Sequence, residues 1–141
     1  MAKYEFTSKG PQIIWLPFWL LVSARPRQWL KNLALFAPLV FEGQFFNPEK
    51  FWATAVGFII FSILTSGIYL INDVIDVKKD RVHPYKSKRP IAAGRINPAV
   101  ALVFGIAFIG FSIFVSRGFS PFFLFAITTY TALQIFYSLF L

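Results

Sequence analysis

Three stretches of the chain carry no charged side chain: residues 51–71, 99–116 and 118–141, of 21, 18 and 24 residues. A helix needs roughly 20 residues to cross the hydrocarbon core of a bilayer, so each stretch predicts a membrane-spanning helix. A fourth, weaker stretch covers residues 32–41; at ten residues it spans only by borrowing the segment before it, and its Pro38 is tolerable in a membrane helix. Residues 10–24 are also apolar, contain Trp15 and Trp19, and run into Arg25, Arg27 and Lys31. That order predicts an interfacial or tilted helix leading into the first span. A secretory signal peptide is the competing reading, but its basic residues would precede the apolar run, and no A-x-A-like cleavage site is present. The expected fold class is all-α: a multi-span transmembrane helical bundle of about four spans plus an N-terminal interfacial helix. The final apolar run, residues 136–141, closes without a polar anchor for the far interface. The expectation is therefore one integral-membrane domain of which residues 1–141 are the N-terminal part, with the C-terminal half missing.

Composition sharpens this reading. With 57% hydrophobic and only 14% charged residues the chain falls outside the soluble class, and nineteen Phe and four Trp exclude the disordered one. The absence of cysteine excludes disulfides, thiolate metal sites and cysteine nucleophiles. A net charge of +8 would suggest nucleic acid in a soluble protein, but its distribution argues otherwise. Residues 1–31 carry +4, residues 42–50 carry −1, residues 72–98 carry +4, and the third connection has only Arg117. This alternation follows the positive-inside rule, predicting a cytoplasmic N-terminus, a cytoplasmic 72–98 connection, and Glu42 and Glu49 outside. The basic excess thus reads as orientation and anion binding, with no nucleic-acid partner.

The chemistry is concentrated between residues 72 and 90. If the helix of residues 51–71 continues, Asp73, Asp76 and Asp80 stand at i, i+3 and i+7, within an arc of about 60°. Three anions stacked at a helix C-terminus repel one another and oppose the helix dipole, so a cation is expected on that face. Carboxylate oxygens suit a hard ion such as Mg²⁺, which commonly bridges protein carboxylates to substrate phosphates. Lys86-Ser87-Lys88-Arg89 follows, bounded by Pro84 and Pro90, and is suited to clamping phosphate oxygens. The plainer alternative is a solvated loop in which the aspartates pair with Lys78, Lys79 and Arg81. His83, alone before a proline in a basic loop, reads as a local structural residue in preference to a general base. Arg25, Arg27 and Lys31 serve equally as positive-inside anchors or as a second anion clamp. Tyr69 reads as an aromatic-belt residue, and the Phe-rich faces at 104–114 and 119–125 as lipid-facing or packing surface. Gly94 supplies a turn, and Asn97 ahead of Pro98 caps the next helix.

Asn72-Asp73-x-x-Asp76-x-x-x-Asp80, at the end of a span and followed by a basic turn with Arg89-Pro90, resembles the first aspartate-rich motif of the UbiA-like intramembrane prenyltransferase superfamily. Within it, residues 25–32 (Arg-Pro-Arg-Gln-Trp-Leu-Lys-Asn) and residues 80–94, from Asp80 to Gly94, look most like the decaprenyl-phosphate phosphoribosyltransferase branch. The resemblance implies a Mg²⁺-dependent enzyme of the plasma membrane that moves 5-phosphoribosyl from phosphoribosyl diphosphate to a polyprenyl phosphate, releasing diphosphate, in synthesis of cell-envelope arabinan precursors. It implies that Asp73, Asp76 and Asp80 are catalytic and hold the metal, and that Asn72, Lys86, Arg89, Arg25 and Lys31 bind substrate. Other branches transfer a prenyl chain to an aromatic acceptor such as 4-hydroxybenzoate with the same machinery, so the branch rests on the flanking residues. Members of the family carry a second aspartate-rich motif in their later half, and residues 1–141 alone are accordingly expected to be inactive. A non-catalytic scaffold or transporter subunit is the reading from another class; a transporter should place ionisable groups at mid-membrane, and the three charge-free spans have none.

Overall fold

Two of the long helices begin the same way, with an asparagine followed by proline. Asn47 Oδ1 accepts from the amide of Lys50 at 3.3 Å, and Asn97 Oδ1 from that of Ala99 at 2.8 Å, as helix caps do; Pro48 and Pro98 then occupy a first-turn position where a missing N–H is harmless. The computed structural model of the chain describes residues 12–140. The polar leader, the first two positions of the expected interfacial helix and Leu141 lie outside the described residues. The helices are α1 (Gln12–Ser23), α2 (Pro26–Asn32), α3 (Ala37–Phe41), α4 (Pro48–Ile75), α5 (Val77–Val82), α6 (Pro98–Ser116) and α7 (Pro121–Phe140). Short 3-10 turns occupy Leu33–Phe36 and Lys86–Lys88, and the described residues contain no strand.

Of these, α4, α6 and α7 are long and apolar enough to cross a membrane, as the three charge-free stretches predict. The fourth stretch does borrow the segment before it: residues 26–41 form a helical path through α2, the 3-10 turn and α3. Its tightened middle has a cause in the sequence. Pro38 has no N–H to donate to the carbonyl of Ala34, and the amide of Ala37 takes that carbonyl instead in an i→i−3 bond.

With 28 residues α4 is about 42 Å long, more than the ~30 Å hydrocarbon core, so its final turn projects beyond the apolar run and carries Asn72 and Asp73. Glu49 stands at its opposite end. Helices α4 and α6 cross in close contact where Gly67 meets Gly105. A Cβ on Gly67 would lie 2.7 Å from the Gly105 carbonyl oxygen, and one on Gly105 would lie 2.8 Å from Ile71 Cγ1. Small residues allow this approach where lipid offers no hydrophobic drive for helix association. One apolar cluster (Leu64, Ile68, Ile109 and Ile127) joins α4, α6 and α7, and a second (Leu70, Ile91, Ile96 and Ala101) lies toward the acidic end of α4. Phe104, Phe108 and Phe123 pack against these clusters, while Phe111, Phe114, Phe122 and Phe125 face outward. Gly67→Val is expected to force the two backbones apart and destabilise the bundle by roughly 1–3 kcal/mol. Thermal unfolding in detergent checks it, and an unchanged midpoint would contradict the contact.

Helix α2 is fastened to α4 by a polar ladder inside the apolar region. Trp29 Nε1 donates to Ser66 Oγ at 3.0 Å, and Asn32 Nδ2 to Ser62 Oγ at 3.1 Å and Thr65 Oγ1 at 3.4 Å. Ser62, Thr65 and Ser66 share one helix face because they stand at i, i+3 and i+4. Helix α1 presents Leu16, Trp19 and Leu20 to the second cluster and leaves Ile14, Trp15, Phe18 and Leu21 exposed. It is apolar on both sides, as suits a helix lying between bundle and lipid.

Candidate functional site

Asp76, with φ −87° and ψ 3°, separates α4 from α5. The chain nevertheless keeps a near-helical path, because the amide of Asp76 bonds Asn72 O at 2.9 Å and that of Asp80 bonds Asp76 O at 2.8 Å. Asp73 and Asp80 therefore face the same side, two turns apart. Between them lies one guanidinium: Arg89 Nη1 is 3.1 Å from Asp73 Oδ1 and 2.7 Å from Asp80 Oδ2. A second comes from the start of α2, where Arg25 Nη2 donates to Asp73 Oδ1 at 2.5 Å. Both carboxylates are only 3% exposed, and both arginines are 28% exposed. Burial of carboxylate charge carries a desolvation cost that paired cations offset, and the two arginines supply them.

The backbone around each arginine is specialised. Arg25 adopts the left-handed conformation, φ 55° and ψ 62°, at the junction of α1 and α2, and its guanidinium lies 4.7 Å from the centroid of the Tyr69 ring. Upstream of Arg89, His83 Nδ1 accepts from the amides of Tyr85 and Lys86, both at 3.2 Å, which holds the basic turn and agrees with a structural role for His83. Downstream, the amide of Ala93 bonds Arg89 O at 2.8 Å, that of Gly94 bonds Ile91 O at 3.2 Å, and that of Arg95 bonds Pro90 O at 2.8 Å. The last two form a Schellman closure, with Gly94 at the left-handed position (φ 75°) that an L-residue would occupy under strain.

Of the residues expected at a site, the fold brings together Asp73, Asp80, Arg89 and Arg25. Asp76 does not join them. The break that it occupies turns its side chain outward, 38% exposed and 4.0 Å from Lys79, so the expected stripe of three carboxylates narrows to two. Among the described residues no three carboxylate or imidazole groups gather as a metal cluster. Lys86 and Lys31 are exposed and form no ion pair among the described residues. Asn72 carries a buried side-chain oxygen without a hydrogen-bond partner among them. Tyr69, read from the sequence as a belt residue, lies instead against Arg25.

The donor chemistry fits a hard divalent ion in kind. The ion pairs use Asp73 Oδ1 and Asp80 Oδ2; the second oxygen of each carboxylate and the orphaned Asn72 Oδ1 are the donor type that Mg²⁺ prefers. Beside Arg25 an apolar groove of about 470 Å³ runs between α1, α2, α4 and α6, lined by Leu20, Leu21, Ala24, Trp29, Phe108 and Phe111 among others. A charged cluster at the edge of the bundle thus adjoins space suited to an apolar chain.

The chain is similar in sequence to several known proteins. The chain is 42% identical over 96 residues to a decaprenyl-phosphate phosphoribosyltransferase of Corynebacterium glutamicum, covering 67% of this chain and 29% of that protein. It is 44% identical over 92 residues to the protein of the same name from Mycobacterium tuberculosis, covering 60% of this chain and 30% of that one. A nodulation protein, NoeC, of Azorhizobium caulinodans is 36% identical over 85 residues, 58% of this chain and 27% of the relative. The chain spans about three tenths of the length of these curated relatives. The model of the UbiA prenyltransferase family matches residues 33–141, from the 3-10 turn after α2 to the last residue, and this chain belongs to that family.

Proposed function

We propose that the chain works within a membrane transferase that moves 5-phosphoribosyl from phosphoribosyl diphosphate to a polyprenyl phosphate such as decaprenyl phosphate, in a Mg²⁺-dependent reaction that releases diphosphate. The observation that carries the proposal is the convergence of Arg25 and Arg89 on the buried Asp73 and Asp80 where α4 leaves the apolar region. Similarity to two phosphoribosyltransferases supports the choice of donor, and the apolar groove beside Arg25 supports a lipid acceptor.

In this reading a phosphate oxygen of the lipid attacks C1 of the ribose, the C1–O bond to diphosphate breaks, and the leaving diphosphate takes the electron pair. Asp73 and Asp80 hold two guanidinium groups in fixed positions, and the donors not used by the carboxylates face the diphosphate oxygens. Lys86 adds charge from the exposed turn and Lys31 from the end of α2. Asp73, Asp80 and Asn72 would hold Mg²⁺, with Asp76 joining from its exposed position, and a bound ion would supply charge neutralisation for the leaving group. Pathway membership, in cell-envelope arabinan synthesis, belongs to the same proposal.

Membranes containing the natively expressed protein are expected to convert phosphoribosyl diphosphate and polyprenyl phosphate into a phosphoribosylated lipid. Membranes that ignore this donor but attach a prenyl chain to 4-hydroxybenzoate would move the function to the aromatic-acceptor branch. We place the 72–98 connection on the cytoplasmic face of the plasma membrane, from the charge alternation. Since residues 1–141 contain no cysteine, Ser87→Cys is expected to resist an impermeant thiol reagent added outside intact cells. Labelling from outside would reverse the orientation.

A further inference from the structure

We infer that Trp19 and Arg95 form a positioning contact that sets Arg89 against Asp73 and Asp80, so that α1 governs the anion site; the inference rests on the reading of that site proposed above. The Arg95 guanidinium lies 4.2 Å from the centroid of the Trp19 ring. Arg95 is exposed and takes part in no ion pair among the described residues, so this stack is its directional contact.

Its location gives the contact leverage. Arg89 to Arg95 is a single closed turn, tied by the bonds from Ala93 to Arg89, Gly94 to Ile91 and Arg95 to Pro90. A segment closed in this way moves as a unit, so whatever fixes Arg95 also fixes the backbone of Arg89. Ile91 and Ile96, almost wholly buried, anchor the unit in the apolar cluster that Leu16, Trp19 and Leu20 cover. Apolar contacts resist separation but are non-directional. The stack supplies the direction, because a cation is attracted to the ring face. Helix α1 also ends at Ser23, two residues before Arg25. Both arginines that pair with Asp73 are therefore attached to α1, one through the chain and one through Trp19 and Arg95. A shift of α1 would move both against carboxylates that are fixed on α4 and α5.

The test is calorimetric titration of the natively expressed protein, in lipid nanodiscs with Mg²⁺, using inorganic diphosphate as the probe. Arg95→Gln, at an exposed position that leaves the apolar cluster intact, is expected to weaken diphosphate binding about two- to fivefold. Trp19→Leu should match it, Trp19→Phe should recover part of the loss, and the double variant Trp19→Leu/Arg95→Gln should be no weaker than either single one. Amide hydrogen exchange at Ala93, Gly94 and Arg95 should quicken in Arg95→Gln while the thermal midpoint stays near that of the wild type. Wild-type affinity in Arg95→Gln, or losses that add in the double variant, would overturn the positioning role alone. A wild-type protein that binds no diphosphate would overturn the site reading and this inference with it.

Discussion

Arg89→Gln is expected to destabilise the folded protein by about 3 kcal/mol, the lower end of the range for breaking a buried ion pair from one side. Arg89 pairs with two carboxylates that are each 3% exposed. Removing its charge leaves Asp80 without an ion-pair partner among the described residues and Asp73 with Arg25 alone. Glutamine can donate hydrogen bonds but cannot offset two negative charges in a region of low dielectric. The double variant Asp80→Asn/Arg89→Gln should recover part of the loss, because it also removes the stranded anion. Unfolding of the purified protein in detergent, followed by circular dichroism, measures both. Equal midpoints for wild type and Arg89→Gln would mean that the carboxylates do not depend on this arginine.

The second large effect concerns turnover. Asp73→Asn nearly preserves shape but removes the charge that gathers Arg25 and Arg89. In the proposed transferase it should lower phosphoribosyl transfer more than about 100-fold, which corresponds to ~2.7 kcal/mol of transition-state stabilisation. Asp80→Asn should act in the same direction through Arg89. Asp76→Asn should have the smallest effect of the three, since Asp76 is turned outward and its nearest cation is Lys79 at 4.0 Å. Transfer assays in membranes with equal amounts of folded protein give the ranking. Near-normal turnover in Asp73→Asn would return the carboxylates to a purely structural role.

Much of the architecture is legible in the sequence because the membrane imposes a simple rule. Runs without charge must become helices long enough to cross, and α4, α6 and α7 obey it. The caps at Asn47 and Asn97, which share an Asn-Pro signature, and the turn at Gly94 follow from local chemistry. What the pattern hides is long-range pairing. Arg25 and Asp73 are 48 residues apart, and nothing near Arg25 announces that it serves a carboxylate instead of anchoring a helix. The ladder from Trp29 and Asn32 to Ser62, Thr65 and Ser66 is hidden for another reason. Hydropathy treats a few hydroxyls in an apolar helix as neutral, yet their i, i+3, i+4 spacing on one face was the available signal. The interruption at Asp76 has no proline or glycine to mark it, so the sequence alone predicts a continuous stripe of three carboxylates.

The conformation of Arg25 sets two demands on one position against each other. A left-handed backbone disfavours any side chain by roughly 1–2 kcal/mol relative to glycine, whereas the carboxylate of Asp73 and the ring of Tyr69 reward a guanidinium there. The strained backbone is therefore held by its own side chain, whose ion pair and ring contact offset what the conformation costs. Glycine at this position would relax the chain but withdraw one of the two cations that offset the buried Asp73, so a library sorted for thermal tolerance and a library sorted for transfer should both keep the arginine.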